Sequence, residues 1–303
     1  MNSPLEEEIP LSLWRAALER VSGARAVADW LERRRPVWSR VMLLAVGKAA
    51  LAMAGGAVAV LGERVVGGLV ITKAGHGVLP TGSPLTLREA GHPVPDAGSL
   101  AAGADLRQRL ALLPRNVHPL LLLSGGSSSL MECLPDGVSL DHLARVNRWL
   151  LGSGLDIHAM NRVRKGLSLV KGGRLAGLLH GREATVLILS DVRGDDPAVI
   201  GSGPLTPDPG GPLPALPDWI LDLLARAPPP PPPDHPAFAA LSIHLVATLG
   251  DALEAARRRA LDWGLPVRVM PDFLDGEAAV RGRELGRAVA AGPPGVTLWG
   301  GET

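Results

Sequence analysis

A single cysteine, Cys133, stands in the 303 residues. One thiol excludes an internal disulfide, and no His/Cys set has zinc-ligand spacing, so a reducing compartment, the cytoplasm, is expected. A surplus of one charge sign is also missing. The formal net charge of +1 excludes a field strong enough to gather nucleic acid or an anionic membrane, so any anionic ligand must be met by local groups. Apolar runs are broken by glycine and charge well before the roughly 20 residues that cross a bilayer, and the acidic start, residues 1–10, is unlike a signal peptide. Lysine is scarce: only Lys48, Lys73, Lys165 and Lys171 stand among 31 basic side chains, the rest being arginine as in a GC-rich genome. A compact ammonium is not replaceable by a planar guanidinium where a phosphate must be touched at one point, which sharpens interest in these four. Neither a dinucleotide Gly-x-Gly-x-x-Gly, a Walker A loop nor a Gly-x-Ser-x-Gly elbow is present.

What the chain does have is apolar mass, 46% hydrophobic residues, enough to bury the core of one large domain or two moderate ones. Helical spacing predicts two lead-in helices over residues 11–21 and 24–35, the second closed by Pro36. Short buried runs follow at 41–46, 68–72, 119–123, 185–189, 266–270 and 295–299. Helical stretches at 49–61, 97–113, 140–151, 157–170, 216–225, 251–263 and 277–290 lie between them. This alternation predicts an α/β fold, a Rossmann-like, mostly parallel sheet with helices on both faces. No repeat is visible. Residues 204–236 are proline-dense, with six consecutive prolines from Pro228 to Pro233, and read as a semi-rigid surface connection. The run 296–303 reads as a strand entering Gly300-Gly301-Glu302, from which further sequence beyond Thr303 is expected.

In open α/β sheets ligands sit beyond the carboxyl ends of the strands, so the residues after each run are the candidates. Ser124-Gly125-Gly126-Ser127-Ser128-Ser129 follows a buried run and opens a helix, offering N–H groups and hydroxyls to a phosphate; an ordinary Gly/Ser turn is the alternative. Gly47-Lys48 places an ammonium at a helix start, with a solvated lysine as the alternative. Asp156 caps a helix carrying Asn161, Arg164, Lys165 and Ser168 beside an apolar stripe, and Lys171-Gly172-Gly173-Arg174 follows; this suits a doubly anionic ligand, or is a solvated basic face. Ser190-Asp191-Val192-Arg193-Gly194-Asp195-Asp196 supplies carboxylates able to hold Mg²⁺ or orient a hydroxyl, with helix or turn capping as the plain role for Asp195 or Asp196. Glu302, after Gly300-Gly301, is a candidate for a metal or substrate shell, with a plain surface turn as the equal alternative. Together these are the parts phosphoryl transfer uses.

Six stretches, namely Gly47-Lys48 through Ala54, Glu89-Ala90-Gly91-His92-Pro93-Val94-Pro95-Asp96, the Ser124 loop, Asn161 through Ala176, Ser190 through Pro204, and the final Gly-Gly-Glu-Thr, resemble the MOFRL-type glycerate kinases in order and over nearly the whole chain. The resemblance implies ATP- and Mg²⁺-dependent phosphorylation of D-glycerate at its 2-hydroxyl, in a cleft between two α/β domains. It implies an active-site role for Lys48, phosphate binding by Ser124, Gly125, Gly126 and Ser127, and glycerate or phosphate binding by Arg164, Lys165, Lys171, Gly172 and Gly173. Asp191 would serve the reacting hydroxyl, with Asp191, Asp195 and Glu302 as metal candidates. ATP and D-glycerate are the expected partners, with neither nucleic acid nor membrane.

Two departures stand out. Members commonly have a third glycine where this chain has Ser127, whose Cβ would restrict phosphate approach, and they continue into a C-terminal domain with a Gly-Gly-Arg-Asn stretch. Residues 1–303 therefore read as the N-terminal α/β part of an incomplete two-domain kinase. A hydroxypyruvate reductase and a ligand-binding protein without turnover remain alternatives, the first lacking a dinucleotide fingerprint.

Overall fold

The computed structural model describes residues 4–303. Helices α1 (Pro4–Arg20) and α2 (Gly23–Arg34) lead into β1 (Val41–Val46), α3 (Ala50–Leu61), β2 (Val65–Lys73), β3 (Leu85–Ala90) and α4 (Ala97–Ala111). Then come β4 (His118–Leu123), α5 (Ser127–Leu130), α6 (Leu140–Gly152), α7 (Ile157–Gly166), α8 (Arg174–Gly177) and β5 (Ala184–Leu189). The chain continues through α9 (Asp218–Leu224), α10 (Pro236–Ala239), β6 (Leu241–Ala247), α11 (Leu249–Asp262), β7 (Val267–Leu274), α12 (Ala278–Ala291) and β8 (Val296–Gly301).

The first six strands form one parallel sheet in the order β3-β2-β1-β4-β5-β6. Its inner strands β1, β4 and β5 are nearly continuous apolar runs because each buries side chains on both faces. In β1, Leu44 and Val46 enter the core shared with Leu106 and Leu110 of α4, while Leu43 and Ala45 join Val27 and Leu31 of α2 and Met53 of α3. The expected α/β class and helices on both faces are thus present. A third cluster joins α6, α7 and α9 through Val146, Val163 and Ile220. The prolines from Pro228 to Pro233 lie mostly exposed, as a surface connection should. Among the described residues no helix is long and apolar enough to cross a membrane.

Three features depart from the sequence reading. Strands β3 and β6 were not foreseen; both are edge strands, and β3 interposes Thr86, Arg88 and Glu89 among its apolar residues, so neither is a continuous buried run. Among the described residues strands β7 and β8 pair only with each other, in a separate parallel sheet beside α11. Helix α7 ends at Gly166 rather than 170, because Ser168 leaves the helical path to bond the buried Glu132 carboxylate.

Candidate active site

The strand order reverses between β1 and β4, so the chain leaves these neighbouring strands on opposite sides of the sheet and opens a crevice at their carboxyl ends. Two of the sequence motifs occupy it. After β1, Gly47 turns with φ +133°, and a Cβ there would lie 2.1 Å from Ser124 Oγ and 2.6 Å from its carbonyl oxygen, so the two loops touch through glycine. They are also bonded: Lys48 N–H donates to Gly125 O at 2.9 Å, and Ala49 N–H to Ser124 Oγ at 3.1 Å. Ser124 is thereby spent on joining the loops. Gly126 takes φ +84°, opening α5, and the N–H groups of Gly125 and Gly126 have no acceptor among the described residues. Such free successive amides are what an anion needs from a loop.

Asp191, just beyond β5, leans over this loop. Its Oδ2 is 3.5 Å from Lys48 Nζ, with both side chains about half exposed, so the pair adds little to stability and is open to a ligand. A Cβ on Gly125 would fall 1.8 Å from the same oxygen, which is why a glycine lies beneath the carboxylate. His92, in the loop after β3, completes the group. A Cβ on Gly126 would sit 2.9 Å from its Cδ2 and Nε2 and 3.2 Å from Lys48 Cγ. Burial, then the Lys48 and Lys73 ammoniums, lower the His92 pKa against the opposing pull of Asp191, favouring a neutral ring.

Other expected residues are engaged by partners within the protein. Lys171 is buried and paired with Glu132, whose other oxygen accepts from Ser168 Oγ at 2.5 Å and Cys133 N–H at 2.9 Å. Lys165 donates to Ala198 O at 3.1 Å and stands 3.6 Å from Asp208. Arg164 bonds Asn147 and Asn161. The Gly172 and Gly173 amides donate to Ser202 O and Gly203 O. This basic segment is therefore tied to the protein's own carbonyls and carboxylates, and the doubly anionic ligand expected of it has no free ammonium at Lys171. The Ser127 side chain is buried and turned toward Gly201, where an added Cβ would lie 2.3 Å from its Oγ, so it does not crowd the mouth of the loop as expected.

Glu302 lines, with Lys48, Ser190, Asp191 and Arg268, a cavity of about 1170 Å³ whose other walls are mostly apolar residues of α1, α11 and the segment from β7 to β8. Asp195 stands on the turn after Asp191 with φ +53° and is not among that cavity's lining. Among the described residues no three His, Cys, Asp or Glu side chains gather as a metal cage. The expected trio of Asp191, Asp195 and Glu302 is thus not assembled. A single carboxylate beside a phosphate loop still fits Mg²⁺, which keeps several waters and is held mainly through substrate phosphates.

Sequence reasoning missed His92 and Lys73. The signal for the first was the Gly91-His92-Pro93 motif, but without β3 nothing marked it as a strand end.

Residues 10–216 match the family described as "Domain of unknown function (DUF4147)". A D-glycerate 2-kinase of Thermotoga maritima is 35% identical over 98% of this chain and 73% of its own length. A putative hydroxypyruvate reductase of Agrobacterium vitis is 38% identical over 87% of this chain and 63% of its own length. The crystal structure of glycerate kinase from Thermotoga maritima superposes with a TM-score of 0.82 at 31% identity, covering 99% of this chain and 75% of that one.

Proposed function

Because this chain belongs to the DUF4147 family, which takes in the glycerate 2-kinases, we propose that it transfers the γ-phosphoryl group of ATP to the 2-hydroxyl of D-glycerate. The observation that carries the reading is the meeting of Lys48 and Asp191, 3.5 Å apart, over the Gly125-Gly126 loop at the sheet's switch point. Lys48 and the free amides of Gly125 and Gly126 hold the phosphate oxygens and meet the charge that develops on them. Asp191 accepts the hydrogen bond of the 2-hydroxyl and orients its oxygen toward phosphorus. A new O–P bond forms there, the bond from the γ-phosphorus to the bridging oxygen of ADP breaks, and the hydroxyl proton passes to Asp191. Mg²⁺ bound to the nucleotide, with Asp191 as the carboxylate in reach, would neutralise phosphate charge. A reductase reading is less favoured, since no Gly-x-Gly-x-x-Gly accompanies the strands.

Incubating the full chain with ATP, Mg²⁺ and D-glycerate and following ³¹P resonances tests this. ADP and 2-phosphoglycerate are expected, with Lys48→Ala lowering turnover about 10²- to 10³-fold, the size of losing one preorganised donor. Unchanged turnover in Lys48→Ala, or product formation that needs NADH instead of ATP, overturns it.

A further inference from the structure

We propose that Lys73 and His92 form the carboxylate pocket of the hydroxy-acid substrate, on the β2–β3 side of the crevice. This rests on the kinase reading above and assigns the half of the substrate that reading leaves without a partner.

The sheet register makes the placement. Ile71 pairs with Val46 and Lys73 with Ala90, so Lys73 stands two residues past the strand row from which Lys48 also emerges, one strand away. His92 follows Ala90 by two residues on the next strand. Adjacent strands lie about 4.8 Å apart, close enough for groups on neighbouring strand-end loops to hold the carboxylate and the adjacent 2-hydroxyl of one small acid. Both loops are held. Ala74 N–H donates to Ala90 O at 3.2 Å, and the Gly75 and Gly77 amides donate to Glu89 Oε1 at 3.0 and 3.1 Å. Beyond β3, Asp96 Oδ1 accepts from Gly91 N–H at 2.9 Å while capping α4.

Within this frame Lys73 is half-buried, yet its ammonium has no hydrogen bond or ion pair among the described residues. That separates it from Lys165 and Lys171, which are engaged internally, and from Lys48, which faces Asp191. Ordering a partly desolvated ammonium without a partner is costly unless an anion arrives. The lowered pKa of His92 leaves a neutral ring able to donate one N–H without adding charge. With the carboxylate on Lys73 and His92, the 2-hydroxyl of the same molecule points back toward Lys48 and Asp191.

The test uses the full chain, with steady-state kinetics on ATP and D-glycerate beside calorimetric titration of D-glycerate alone. Lys73→Met is expected to raise KM and Kd for D-glycerate at least tenfold, the size of a lost charge-assisted bond, with KM for ATP within about twofold and the melting temperature no lower than that of the wild type. His92→Asn shifts the same constants less, Lys73→Arg restores part of the loss, and glycerol, which lacks the carboxylate, neither binds nor competes. A wild type that binds D-glycerate while Lys73→Met leaves its constants unchanged, or raises KM for ATP instead, overturns the pocket but not the kinase. A wild type that neither binds nor phosphorylates D-glycerate overturns the kinase reading, and this assignment with it.

Discussion

Lys171 and Glu132 form an ion pair in the interior, with side chains 5% and 1% exposed, where the sequence pattern alone reads Lys171 as part of a ligand-binding segment. Ser168 and the Cys133 amide complete the carboxylate's hydrogen bonds, so the pair fastens the turn after α7 to the segment after α5. Removing one partner of a buried pair strands the other charge, which costs about 3–5 kcal/mol. Lys171→Met is therefore expected to lower unfolding free energy by that amount in urea titration, with KM for D-glycerate little changed in the folded fraction. Adding Glu132→Leu recovers part of the loss. A stable Lys171→Met protein with a raised KM would instead restore the substrate role.

Gly125 and Gly47 are expected to fail differently when given a methyl group. At Gly125 the obstacle is the mobile end of Asp191, 1.8 Å from the added Cβ, so Gly125→Ala pushes the carboxylate off Lys48 and leaves the backbone in place. Turnover should fall about 10²-fold, as for a group displaced by about 1 Å, at near-native melting temperature. At Gly47 the obstacles include the Ser124 carbonyl, 2.6 Å away, and φ is +133°. Gly47→Ala should lose thermal stability as well as turnover. Paired kinetics and calorimetry on the two variants separate the cases.

Acid sensitivity should trace in part to His118. It stacks on Trp38 with ring centroids 4.2 Å apart, and burial lowers its pKa to about 4. An unfolded imidazole titrates near 6.5, so between pH 6.5 and about 4 the unfolded chain binds a proton that the folded chain refuses. Its contribution to stability is complete above pH 6.5 and declines as the pH falls through this window. His118→Asn should flatten the dependence of the urea midpoint on pH between 6.5 and 4.5, above the range where most carboxylates titrate.

Much of the molecule could be read along the chain. Continuous apolar runs such as 41–46 and 119–123 can only be strands covered on both faces, and glycine pairs after them mark loops that approach something closely. Those local rules found β1, β4, β5 and the Lys48, Ser124 and Asp191 loops without coordinates. They also marked Arg164, Lys165 and Lys171 as anion ligands without showing that each has a partner inside the protein, because spacing along a helix records which side chains are neighbours and not what lies opposite them. Glu132, 39 residues before Lys171, decided that partner. Likewise, the edge strand β3 carries too little apolar pattern to be seen alone, and only pairing with β2 brings His92 beside Lys48 and Lys73. The sequence by itself determined the fold class and the chemistry of the loops. Which charges meet, and which are consumed in the interior, was settled by long-range packing, because the energy of a charge depends on its partners and its burial and neither is a property of adjacent residues.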